Sequence, residues 1–84
     1  MDLKFKVGDI IVYKGGDSVY DVYYNEIDRY QEIAGVIDNI IYTVFKDTGE
    51  TNNFYFNSRY YDLCDKVKNF EYSNGVPVIW EDEV

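Results

Sequence analysis

Gln31-Glu32-Ile33-Ala34-Gly35-Val36-Ile37-Asp38-Asn39-Ile40-Ile41-Tyr42-Thr43-Val44-Phe45 is the stretch that decides the fold. Two runs rich in β-branched and aromatic residues flank a pair that tolerates positive φ. Residues 31–37 and 40–45 therefore read as antiparallel strands joined by a tight turn at Asp38-Asn39. Downstream, Asp47-Thr48-Gly49-Glu50 is a second turn that feeds Asn53-Phe54-Tyr55-Phe56-Asn57. Alternation there puts Phe54 and Phe56 on one face and Asn53, Tyr55 and Asn57 on the other. Upstream, Phe5-Lys6-Val7-Gly8-Asp9 leads into the β-branched run Ile10-Ile11-Val12-Tyr13, stopped by Gly15-Gly16. Near the C-terminal end, Phe70-Glu71-Tyr72 and Val76-Pro77-Val78-Ile79-Trp80 flank Asn74-Gly75, a strong hairpin signal. Pro77 has no N–H to give a ladder, which assigns its strand to an edge.

Five or six short strands in 84 residues and 9.9 kDa make one mainly β domain over 1–84, with 81–84 as an acidic tail. The architecture is a small barrel or a strongly bent antiparallel sheet. The segment 17–30 stays open. Ser18-Val19-Tyr20-Asp21 matches a capping-box variant, and helical spacing puts Val19, Val22, Tyr23 and Ile27 on one face, opposite Asp17, Asp21, Asn25 and Asp28. That favours one short helix near 18–28. Val and Tyr are mediocre helix formers, however, and the same residues serve as a strand or an acidic loop. Residues 58–66 read as a connector with one helical turn around Tyr60-Tyr61-Asp62-Leu63.

The opening Phe5-Lys6-Val7-Gly8-Asp9-Ile10-Ile11-Val12-Tyr13 resembles the first strand of SH3-like small barrels, where a Val-Gly-Asp turn feeds a β-branched strand. The order of the runs at 31–37, 40–45 and 53–57 is similar to the meander of such barrels. The resemblance covers Lys4 to Leu63, places 15–29 in the long first loop, and leaves the Asn74-Gly75 hairpin as an addition. It implies a fold and no particular function, because such barrels host many tasks.

Sixteen acids against eight Lys and Arg give a net charge of −8 and a pI near 4.2. That balance argues against direct nucleic-acid binding and against adsorption to anionic membranes. With no His and a single Cys64, the common general base, the Cys-His dyad, zinc sites and disulfides are out of reach. No apolar h-region or long apolar run is present, so a cytoplasmic protein is expected. Asp47-Thr48-Gly49 spells the aspartic-protease triplet, but Lys46 and Glu50 flank it where apolar residues are needed, so it reads as a turn. Lys14-Gly15-Gly16 lacks the phosphate-loop spacing. Asp17, Asp21, Glu26 and Asp28 miss the EF-hand pattern, so neither metal nor cofactor is expected. The chain reads as no enzyme.

Ten tyrosines exceed what a small core requires, and Tyr is a low-entropy contact residue of binding surfaces. Acidity concentrates in 17–38, where six acids face Arg29 alone, and in 71–84, which carries four acids and no base. The first block interleaves acids with Tyr20, Tyr23, Tyr24 and Tyr30. Carboxylates so spaced can imitate a phosphate track, with aromatics burying against the partner and charge steering the encounter. The expected partner-binding residues are Asp17, Tyr20, Asp21, Tyr24, Glu26, Asp28, Tyr30 and Glu32. The expected task is to block a basic nucleic-acid-binding surface of a nuclease or other nucleic-acid-binding protein. In size, charge and Tyr content the chain is similar to acidic phage-encoded inhibitors of host nucleases, including anti-restriction and anti-CRISPR proteins. The alternative is an SH3-like module for peptide binding or self-association, using an aromatic groove drawn from Tyr13, Tyr55, Tyr60 and Trp80.

Overall fold

The computed structural model describes residues 3–23 and 26–68, together with the backbone of 70–73 and 76–79. Tyr24, the Asn74-Gly75 turn, Trp80 and the 81–84 tail lie outside the described residues. The elements are β1 (Ile10–Tyr13), α1 (Ser18–Tyr23), β2 (Tyr30–Ile37), β3 (Ile40–Phe45), β4 (Thr51–Tyr55), α2 (Arg59–Asp62), β5 (Cys64–Val67), β6 (Phe70–Ser73) and β7 (Val76–Ile79). β1 to β5 form one antiparallel sheet in the order β4-β3-β2-β1-β5, and β6 pairs with β7 separately. The mainly β expectation is borne out. Of its two forms the sheet takes the open, bent one, because β4 and β5 end the order without pairing.

Asp38 sits at φ 56° in the two-residue turn between β2 and β3, as the Asp-Asn pair requires. β3 alternates cleanly, with Ile41, Thr43 and Phe45 inward and Ile40, Tyr42 and Val44 outward. β2 does not. Its register slips between Ile33 and Gly35, so Ala34 is an extra residue and the strand bends there. The bulge turns Val36 toward the core and Ile37 to solvent, the reverse of unbroken alternation from Ile33.

One cluster gathers Ile11 and Tyr13 of β1, Ile33 of β2, Ile41 of β3, Phe54 of β4 and Cys64 of β5, with Phe5, Tyr60 and Tyr61. Strands from both ends of the sheet order meet in it, so the sheet curls around it. α2 joins those two ends. Ser58 caps it, its Oγ accepting the Tyr61 N–H at 3.2 Å. The Tyr60 ring stacks on Tyr13 at 4.4 Å and 11° and meets Phe54 at 4.7 Å. Lys4 ties the N-terminal segment to α2, its main-chain N–H donating to the Tyr61 hydroxyl at 2.7 Å.

A polar chain runs through this core. Thr43 Oγ1 donates to Gln31 Oε1 at 2.7 Å, and Gln31 Nε2 donates to the Tyr60 hydroxyl at 2.8 Å. The Glu26 carboxylate, also buried, lies close enough to the Tyr60 hydroxyl to act on its proton. Gln31 and Thr43 are fully enclosed, yet among the described residues no buried side-chain N or O lacks a partner. Burial first, and the Glu26 carboxylate second, push the Tyr60 hydroxyl far above its ordinary pKa.

Candidate protein-binding surface

α1 begins where the main chain leaves β1 through Gly15 (φ 86°) and Gly16 (φ 116°). A Cβ on Gly15 would stand 3.2 Å from Ile27 Cδ1, and one on Gly16 3.3 Å from Leu63 Cδ2, so both conformation and space call for glycine. The helix cap lies one residue before the Ser18 box: Asp17 Oδ1 accepts the Val19 N–H at 3.0 Å. Asp21 then fastens the helix to the sheet. Its Oδ1 accepts from the Tyr13 hydroxyl at 2.7 Å and its Oδ2 from the Gly16 N–H at 3.0 Å. The same hydroxyl accepts the Asp17 N–H at 3.0 Å. Burial, then the bond to Asp21, push the Tyr13 pKa up to about 12. Tyr20 completes the seat, its ring 4.7 Å from that of Tyr60.

With Tyr20 and Asp21 turned to the core, the apolar face read from helical spacing points outward. Val19, Val22 and Tyr23 are 56%, 74% and 78% exposed, and Ile27 on the returning loop is 39% exposed. They form an apolar surface on a helix held from beneath and set within the most acidic part of the chain.

The acids expected to meet a partner are placed differently from one another. Asp17 caps α1 and Asp21 bonds inward. Glu26 is buried, turned to Tyr60 and to Asn52 Nδ2 at 3.5 Å, so its charge does not reach the surface. Asp28, at φ 65°, is exposed and pairs with Lys14 at 3.3 Å. Glu32 pairs with Lys46 at 2.9 Å. Tyr30 is half-buried on β2, and Tyr24 lies outside the described residues. Asp17, Tyr20 and Asp21 are thus gathered at α1; Glu26 and Glu32 are not part of that surface. Of the aromatics of the alternative groove, Tyr13 and Tyr60 are fully buried and Tyr55 faces outward from β4, while Trp80 lies outside the described residues.

Asp47 is held by Arg29 in a bidentate pair, both bonds at 3.0 Å, and the guanidinium lies 3.9 Å above the Phe45 ring. The Gly49 N–H donates to the Phe45 carbonyl at 2.8 Å, so the triplet is the turn its flanks imply. Arg29 holds the Asp47 carboxyl below its ordinary value. A depressed carboxylate contributes stability above its unfolded pKa of 3.8 and loses it as pH falls through the lower folded value. D47N should therefore cost about 0.5–1 kcal/mol at neutral pH and progressively less as pH falls below 3.8, read from urea melts across that range.

A second apolar row escapes the strand pattern of the sequence. Ile37, Ile40 and Tyr55 are cross-strand neighbours on the outer face of β2, β3 and β4, with Ile37 and Tyr55 exposed. The signal for it is Gly35, since a glycine inside a strand pattern marks a bulge that reverses the facing of the residues beyond it. Among the described residues no helix is long and apolar enough to cross a membrane. Comparison with protein-family models, with curated proteins and with solved structures finds no match to this chain.

Proposed function

We propose that the protein is a non-enzymatic interaction protein that docks α1 on a positively charged surface of a protein partner, the kind a nuclease or other nucleic-acid-binding protein offers its substrate. The observation that carries this is the outward face of Val19, Val22 and Tyr23 on a helix seated by Tyr20 and Asp21. Apolar side chains held rigidly at the surface lose little entropy on binding and act as anchors. The net charge of −8 supplies steering toward a basic partner, with Asp17 beside the anchors and Asp28 and Asp38 exposed nearby in sequence. Most of the remaining carboxylates of 17–38 are engaged within the molecule, which gives the anchors more of the affinity than a pure phosphate mimic would.

The test is capture of the partner from native extract by tagged wild type, V22E and the pair D28N/D38N, at low and high salt. Asn keeps the positive φ that Asp28 and Asp38 adopt, so the pair removes charge, with the exposed Lys14–Asp28 bridge, and leaves both turns unstrained. V22E should weaken capture of a basic partner at least about tenfold. D28N/D38N should weaken it at low salt only, and competing DNA should displace it. Undiminished capture by V22E would sink the reading.

A further inference from the structure

β4 ends the five-stranded sheet, and among the described residues no strand pairs with its outer side. Thr51-Asn52-Asn53-Phe54-Tyr55-Phe56-Asn57-Ser58 has no charge, no proline and no glycine, whereas the opposite edge, β5, carries Asp65 and Lys66. The main chain of β4 is also turned for pairing. The Phe45 N–H donates to the Glu50 carbonyl at 2.8 Å and the Phe56 N–H to the Asn39 carbonyl at 3.1 Å. Antiparallel ladders bond at every second residue, so 50, 52, 54 and 56 bond to β3 while Thr51, Asn53 and Tyr55 direct N–H and C=O to the open edge. The Tyr55 carbonyl already accepts the Ser58 N–H at 3.0 Å, which leaves Thr51 and Asn53 as the residues with both groups directed outward. Their side chains are exposed.

We propose that two copies of this chain pair through β4, antiparallel about a twofold axis. Thr51 of each copy faces Asn53 of the other and exchanges main-chain hydrogen bonds with it, joining the two sheets into one. Charge selects the occupant. A basic partner drawn by the acidic half of the chain finds no acid on 51–58, while an acidic second copy meets no like charge there. The flanks complement one another as well. Asp47 and Glu50 precede the strand and Arg59 comes after it, so antiparallel pairing puts the acidic starts of the two strands at opposite ends of the ladder, each toward the other strand's basic end. None of the α1 residues takes part, so this pairing stands apart from the partner reading.

The test is a concentration series by sedimentation and light scattering, with amide exchange measured residue by residue. The wild-type mass should double between low and high micromolar, with exchange at Thr51 and Asn53 slowing as it does. T51E/N53E puts Glu opposite Glu at both crossings and should stay monomeric, as should T51K/N53K, while their equal mixture should recover the dimer. Thermal melts confirm that each variant is folded. If either is not, N53P replaces it, removing an outward N–H without touching a bond to β3. A wild type that stays monomeric throughout overturns the proposal, as does a dimer indifferent to both charged variants or one protected elsewhere than β4. A monomer whose Thr51 and Asn53 amides slow only with an added extended peptide would also overturn it, assigning the edge to a partner segment.

Discussion

Tyr60→Ala should remove most of the protein's stability. Tyr60 is fully buried, its ring stacked on Tyr13 and in contact with Phe54 and Tyr20. Emptying such a site costs about 3–5 kcal/mol, because the neighbours collapse only partly into the cavity. The hydroxyl goes too. Gln31 Nε2 loses its acceptor, adding roughly 1–3 kcal/mol for a buried polar group left without a partner. A domain of 84 residues holds about 4–12 kcal/mol in all. Tyr60→Phe isolates the second part: it keeps the stack and should lower the urea midpoint by the equivalent of about 1–3 kcal/mol with the slope unchanged. Circular dichroism against urea reads both. A Y60A protein melting like wild type would mean that α2 does not close the core.

Why Tyr60 matters is the part of the fold that alternation does not announce. Residues 40–45 are strand to the residue, because β3 has a two-residue turn at one end and strict inward-outward alternation along it. β4 begins two residues earlier than 53 since Thr51 and Asn52 pair with Val44 and Thr43, and nothing in two polar residues signals a ladder. β5 is hidden within the connector at 58–66. Cys64-Asp65-Lys66-Val67 has little β character of its own and is a strand because β1 supplies its partner along the whole length. The helix read near 18–28 stops at Tyr23, since Ile27 already bridges Tyr13 of β1, yet its spacing identifies the apolar face of Val19, Val22 and Tyr23. What spacing does not carry is direction. Core contact goes to Tyr20 and Asp21 because a buried hydroxyl, that of Tyr13, lies beneath them and a carboxylate satisfies it better than a valine. For the same reason, charge counted along 17–38 overstates the charge at the surface: Glu26 serves the core network and Asp21 the helix seat.

Asp21→Ala should release α1 from the sheet. Six residues form no stable helix alone, so α1 persists through its cap and its contacts with the core. Alanine leaves the buried Tyr13 hydroxyl without its carboxylate acceptor and the Gly16 N–H without its partner, a loss of about 1–3 kcal/mol. The proton titration of Tyr13 reports the change directly. Burial is the larger cause of its rise to about 12 and the bond to Asp21 the next, so D21A should lower the value while leaving it above the ordinary 10.0. A raised tyrosine pKa contributes stability below 10.0 and loses it as pH climbs through about 12, so the variant should show a shallower alkaline loss of stability across that interval. Ultraviolet titration of tyrosinate, together with limited proteolysis within 17–23, measures both effects. Partner capture then separates position from charge. D21A and D28N each remove one negative charge, so a partner that reads charge alone should weaken equally for both. A partner that reads Val19, Val22 and Tyr23 should lose far more with D21A, because those anchors leave their place when Asp21 lets go of Tyr13.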